Sequence, residues 1–287
     1  MDRALFRSLT RLIIIAMLSL CVACGGTAEQ KKYREEIRLM GIDFDAYELF
    51  DRIDKGDRKT VELFLNAGFD ADDRFPKRRG VGKSEMTPLL YASSRGMLEM
   101  VKLFVEKGAN VNARGPMFRG KGLTPLMLAS NHGYLGIAQY LLENKADVNM
   151  RVSPNGKTAL IYACENGRAD IAEELLKHGA DTSARITGDG TTGSELYSEG
   201  MTALMLAVND GKSKIVELLI GHKADLNVRR KYDGMTALML AVGQGNPGLV
   251  KLLVDNGADM NIKNNDGETA LGLAKKQKRK EIERILE

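Results

Sequence analysis

Thr202-Ala-Leu-Met-Leu-Ala207 and Thr236-Ala-Leu-Met-Leu-Ala241 are the same six residues written twice. Four more segments vary them: Thr87-Pro-Leu-Leu-Tyr-Ala92, Thr124-Pro-Leu-Met-Leu-Ala129, Thr158-Ala-Leu-Ile-Tyr-Ala163 and Thr269-Ala-Leu-Gly-Leu-Ala274. The threonines stand 37, 34, 44, 34 and 33 residues apart, so the chain is a tandem array of a unit about 33 residues long, with loops inserted at three junctions.

Each unit predicts two helices. Thr caps the first with its hydroxyl, and Pro or Ala takes the first helical position, where an unpaired N–H costs nothing. Nine residues after each of the first five threonines stands a glycine (Gly96, Gly133, Gly167, Gly211, Gly245), which takes the left-handed conformation that ends a two-turn helix. The second helix has apolar residues at helical spacing, such as Val101, Leu103, Phe104 and Val105, or Val216, Leu218, Leu219 and Ile220. It closes on turn-forming residues, as in Gly108-Ala-Asn-Val-Asn112 and Gly257-Ala-Asp-Met-Asn261. In four units the next turn holds Gly two residues before the Thr: Gly156, Gly200, Gly234 and Gly267.

Thr-Pro-Leu-x-x-Ala in phase with Gly-Ala-Asp-x-Asn resembles the ankyrin repeat family, over residues 44 to 287. The resemblance implies an all-α solenoid of about seven repeats including caps, each a helix-turn-helix followed by a β-hairpin loop. Repeats start near Phe44, Ser84, Gly122, Asn155, Glu199, Asp233 and Asp266. The family usually has His after Thr-Pro-Leu; here the position is Leu90, Met127, Ile161, Met205, Met239 and Gly272, so apolar packing is expected in place of a polar tie.

The N-terminus reads as an export signal over residues 1 to 23. Arg3, Arg7 and Arg11 face a single Asp2, and the apolar run Leu12 to Ala23 is short for a membrane span. Cys21-Val-Ala-Cys24-Gly-Gly resembles the bacterial lipobox, with Cys21 where Leu is usual; the resemblance implies that Cys24 is lipidated and becomes the mature N-terminus. An uncleaved inner-membrane anchor is the alternative. The absence of Asp after Cys24 points by the same resemblance to the outer membrane, with the protein facing the periplasm or the cell surface. Residues 24 to 43 then form a tether, Gly25 to Gln30, and a leading helix, Lys31 to Met40. Six residues reach about 20 Å at 3.3 to 3.6 Å each, which keeps the array close to the membrane.

Cys21 leaves with the signal and Cys24 is acylated, so Cys164 remains alone and reads as a small buried core residue without a disulfide. The chain has 42 basic and 38 acidic side chains, a net charge of +4; removing three Arg and one Asp with residues 1 to 23 leaves +2. That balance predicts no nucleic-acid partner. Gly188-Asp-Gly190-Thr-Thr-Gly193 spells a dinucleotide-binding pattern, but the next helix begins only at Thr202, so it reads as an inserted loop. His132, His178 and His222 stand in different repeats and read as solvated helix-end cations. Asp189, Glu195 and Glu199 lack the dense oxygen spacing of a calcium loop, and Glu173-Glu174 reads as solvated charge. No enzyme, cofactor or metal is expected.

Binding is the expected role. Two residues beyond the terminal Asn or its equivalent come Arg74, Arg114, Arg151, Arg185, Arg229 and Lys263, a basic column at the start of the fingers. Its bland reading is solvated surface; its functional reading is an edge for an acidic protein, since the Arg fork binds carboxylates bidentately. The insertions Phe75 to Lys83, with Lys77, Arg78 and Arg79, and Gly115 to Lys121, with Arg119, add cations. Met117-Phe118 and Leu196-Tyr197 place apolar groups on loops, with Phe118 and Tyr197 as contact candidates. The sequence thus predicts a non-enzymatic protein-binding lipoprotein. The alternatives are an inhibitor or immunity protein that occludes a toxin or enzyme, and a binder of an anionic envelope polymer.

Overall fold

The computed structural model describes residues 26–74, 86–115, 122–152, 155–187 and 198–287. Among them are fifteen helices and no strand. Helix α1 (Ala28–Leu39) precedes seven helix pairs. The pairs are α2 (Ala46–Asp54) with α3 (Arg58–Asn66), α4 (Pro88–Arg95) with α5 (Leu98–Glu106), and α6 (Pro125–His132) with α7 (Leu135–Glu143). Then come α8 (Ala159–Glu165) with α9 (Ala169–Lys177), α10 (Ala203–Asn209) with α11 (Ser213–Gly221), α12 (Ala237–Gln244) with α13 (Pro247–Asp255), and α14 (Ala270–Lys276) with α15 (Lys280–Leu286). First helices stack on first helices, making an all-α solenoid with a continuous core.

All six threonines cap as the sequence predicts. Each hydroxyl accepts from the N–H three residues on, at 3.2 to 3.4 Å. The first pair lacks such a Thr and uses carboxylates instead: Asp45 accepts from the Glu48 N–H at 2.8 Å and Asp57 from the Thr60 N–H at 3.2 Å. The residues standing where His is usual are buried: Leu90, Met127, Ile161, Met205 and Met239 are at most 1 % exposed. Gly272, in the last repeat, is exposed.

The glycines nine beyond the threonines all have positive φ. Three show a second reason for lacking a side chain, Gly245 because a Cβ there would overlap the Arg279 guanidinium of the next repeat. A Cβ on Gly96 would lie 2.8 Å from the Tyr134 ring, and one on Gly133 would lie 2.9 Å from the Arg168 guanidinium, so each makes room for the next repeat.

Two expectations are corrected. The leading helix starts at Ala28, not Lys31, because Thr27 and Gln30 form a capping box: the Gln30 N–H donates to the Thr27 hydroxyl at 3.2 Å and the Thr27 N–H to the Gln30 side-chain Oε1 at 2.9 Å. The helix thus takes Ala28 to Gln30 out of the segment expected as tether. Among the described residues the loops expected as β-hairpins form no strands and close instead on pairs of backbone bonds: Val152 N–H to Lys157 C=O at 2.9 Å with Gly156 N–H to Val152 C=O at 2.8 Å, and Arg230 N–H to Met235 C=O with Gly234 N–H to Arg230 C=O, both 2.9 Å. An isolated bridge joins Arg185 and Thr202. The finger from Arg230 to Met235 is too short for a longer ladder.

Candidate binding surface

The turns that close the repeats carry the fingers, and side-chain amides and carboxylates fix them. Within a turn the first acceptor takes the N–H two residues on: Asn110 from Asn112, Asp147 from Asn149 and Asp225 from Asn227, each at 2.9 Å. The second acceptor reaches the following repeat. Asn112 takes the Asp147 N–H, Asn149 the Asp181 N–H and Asn227 the Asp259 N–H, all at 2.8 Å, and Asp72 takes the Asn110 N–H at 3.0 Å. The ladder breaks once. Ser183 stands where the others have Asn or Asp, and its hydroxyl turns back to Asp181 at 2.6 Å. That hydroxyl leads the groups that hold the Asp181 carboxyl below its usual range, with the Ser183 N–H and Arg151 assisting against burial.

Two residues beyond this ladder, Arg74, Arg114, Arg151, Arg185, Arg229 and Lys263 are all exposed, one per repeat. All five arginines also tie repeat to repeat, three of them through a backbone carbonyl. Arg74 donates to the Arg114 carbonyl at 3.2 Å, Arg114 to the Arg151 carbonyl at 3.0 Å and Arg185 to the Arg229 carbonyl at 3.3 Å. Arg151 pairs with Asp181 at 3.3 Å, and Arg229 donates to the Asn265 side chain at 3.0 Å. A guanidinium has five N–H donors, and Arg114 and Arg185 each commit one to this ladder, which orients the rest of the fork at the surface. An open groove lies between the first two members, lined by Asp72, Arg74, Asn110, Asn112 and Arg114. Such a column offers preset bidentate donors and no reacting group.

Cys24, Phe118 and Tyr197 lie outside the described residues, as do the basic insertions and Gly188 to Gly193. Thr202 caps α10 after a turn at 198–200. Cys164 is fully buried, and burial pushes its thiol from 9.0 up to about 12, which leaves no thiolate at neutral pH. His178 and His222 cap the ends of α9 and α11, and His132 lies 2.9 Å from the Leu128 carbonyl of its own helix. Among the described residues, no group of three His, Cys, Asp or Glu converges on a point that would hold a metal ion. Glu199 is held by Lys231 at 2.6 Å and Glu173 by Lys177 at 2.9 Å.

Two features were missed in the sequence. One is an aromatic cluster on the first helices of the early repeats. Phe50 packs on Tyr91 at 4.5 Å; Tyr91 donates its hydroxyl to Asp54 at 2.6 Å, and Arg95 lies 5.8 Å from the Tyr91 ring. In the next repeat His132 stacks on Tyr134 at 5.7 Å. The other occupies the position ten beyond each Thr. Lys212 donates to the Cys164 and Glu165 carbonyls at 3.0 and 2.7 Å, and Arg279 to the Gly243 carbonyl at 2.8 Å, closing the preceding first helices. The repeat spacing marks that position; the identity of its acceptor does not follow from spacing.

No curated protein matches the chain. Among solved structures, it is similar to a chain in the complex of the predatory endopeptidase Bd0816 from Bdellovibrio bacteriovorus with the immunity protein Bd3460. The two are 33 % identical, the alignment covers 71 % of this chain and 98 % of that one, and the TM-score is 0.58. The family profile described as ankyrin repeats (three copies) matches residues 49–152, 118–186, 150–230, 186–264 and 204–286. With nearly all of the described array matched, and the capping threonines and stacked turns in place, the chain belongs to the ankyrin repeat family.

Proposed function

We propose that this protein is a lipid-anchored ankyrin array of the bacterial envelope whose partner is an enzyme that it occludes. Ankyrin repeats mediate protein–protein interaction, and the partner class is a protein. The observation that carries the finer reading is the likeness, at 33 % identity, to a chain from a complex of an endopeptidase with an immunity protein. That likeness raises the inhibitory reading above general scaffolding. Occlusion needs no acid, base or nucleophile in the array. The partner presents carboxylates to the column Arg74, Arg114, Arg151, Arg185, Arg229 and Lys263. A charge-assisted hydrogen bond contributes about 1.5 to 3 kcal/mol when desolvated.

The test is crosslinking in intact cells, identification of the captured protein, and assay of its activity with and without the purified array. A captured hydrolase whose activity falls on addition of the array supports the reading. Capture of a non-enzyme, or an enzyme whose activity is untouched, leaves the protein as an adaptor. Binding to isolated envelope polymer that vanishes in moderate salt would favour the polyanion alternative.

A further inference from the structure

Three of the five large apolar side chains that stand exposed among the described residues lie at the N-terminal end of the array. Leu39 is 77 % exposed, Met40 51 % and Tyr47 54 %. They sit where α1 ends and α2 begins.

Helix α1 is a cap with one committed side. Ile37 is fully buried, Arg34 donates to the Ala67 carbonyl at 2.8 Å, and its guanidinium lies 5.5 Å from the Phe44 ring centre. At 100° per residue the opposite side carries Ala28, Lys32, Glu35 and Leu39, with Lys31 beside them. All five are exposed. Glu35 is paired with Arg38 at 2.5 Å, while Lys31 and Lys32 make no ion pair among the described residues. Glu29 and Glu36 fall on one flank. The outward side is therefore basic near its start and apolar at its end.

The chain before α1 restricts where this side can be. With the lipid on Cys24, residues 25–27 hold the start of α1 within about 10 Å of the headgroups. The helix is about 18 Å long. Standing upright, it would leave Leu39 in water; lying flat, it puts Leu39 at the acyl boundary and both lysines among the headgroups, whose negative charge they match.

We propose that α1 lies along an anionic bilayer surface with Leu39 at the headgroup–acyl boundary and the exposed Met40 and Tyr47 at the rim of the contact, so that the array meets the membrane by its N-terminal cap. This rests on the lipid-anchor reading. The surface adds a second attachment to the acyl chains and fixes the direction in which the repeats project.

The test uses the full-length protein isolated from cells, in vesicles of phosphatidylethanolamine and phosphatidylglycerol carrying spin-labelled headgroups. A fluorescent amino acid replaces Leu39 during translation, with the same replacement of Lys280 as the distal control, so that neither Cys24 nor Cys164 competes for a thiol label. Acylation of Cys24 is read by mass on the same sample. Quenching by about half or more at position 39, and none at 280, is expected for a side chain at the boundary. Equal quenching at both positions in acylated protein overturns the proposal, as does a label at 39 shielded by a second copy of the chain. Unacylated protein that is still quenched at 39 keeps the surface and removes the anchor. Unacylated protein without quenching overturns both.

Discussion

Lys145 and Lys223 hold φ of 66° and 60°, where other repeats place Gly68, Gly108, Gly179 and Gly257 at φ of 82° to 99°. A side chain with a Cβ in that region costs about 1 kcal/mol relative to glycine. Lys145→Gly and Lys223→Gly should each raise stability by several tenths of a kcal/mol to about 1, seen as a higher urea midpoint with unchanged slope. A lower midpoint for both would show that the lysine stems contribute packing that outweighs the strain. Lys278 takes φ of 58° at the end of α14, where earlier first helices end on glycine; the repeat pattern stops there, so the sequence reading did not mark it. Cys164 gives a second residue-level test. Its thiol is raised from 9.0 to about 12, so the unfolded chain ionises first. Its contribution to stability is complete below pH 9 and is lost as pH rises toward 12. A thiol reagent at pH 8 should modify it only after denaturation, and fast modification of the native protein would contradict its burial.

At the scale of elements, the missing rung at Ser183 is a defect that can be repaired. Ser183→Asn should restore the side-chain acceptor for the Asp225 N–H, as Asn149 does for Asp181 and Asn227 does for Asp259. The expected gain is about 0.5 to 1.5 kcal/mol, with slower amide exchange at Asp225. No change in exchange would mean that the 44-residue spacing between Thr158 and Thr202 sets the two turns too far apart to be bridged. The arginine column belongs to this scale as well. Read from sequence, Arg114, Arg151 and Arg185 are members of a column that is either solvated surface or a binding edge. Their hydrogen bonds to neighbouring fingers make them ties between repeats too. Replacing all three with Gln should therefore lower stability by about 1 to 2 kcal/mol in total, through exposed bonds, and weaken partner capture far more. Full capture with a stable triple variant would return the column to a purely structural role.

For the whole molecule, stability in a stack of repeats is a sum of neighbour contacts, so damage to one end stays local. A chain beginning at residue 44 would lose α1, whose Ile37 is fully buried. Burial of one such side chain contributes about 1.5 to 3 kcal/mol. Amide exchange should rise in α2 and α3 while α12 to α15 keep their protection; exchange rising evenly along the array would show a more cooperative unit than the contacts imply. The proposed lipid anchor is tested at this scale too. Labelled fatty acid should enter the mature chain at Cys24, and Cys24→Ser should give an uncleaved or soluble form; label retained by the variant would reject the lipobox assignment.

The repeat is legible because it is local. A capping hydroxyl reaches three residues along its own chain, a left-handed helix end is set by the residue that occupies it, and both recur at a fixed period. Thr87 to Thr269 and Gly96 to Gly245 therefore carried the fold by themselves, and the apolar residues from Leu90 to Met239 foretold the packing between repeats. The column of basic residues was legible as a phase, for the same reason. What the column touches was not. The acceptors of Arg74, Arg114 and Arg185 lie 37 to 44 residues away, and which carbonyl meets a guanidinium depends on how far each repeat is displaced from the last. The same holds for Lys212 on Cys164 and for the aromatic cluster around Tyr91. Periodicity in the chain determined that these repeats would stack; only the stacked structure decided which side chains the stacking brings within hydrogen-bond reach.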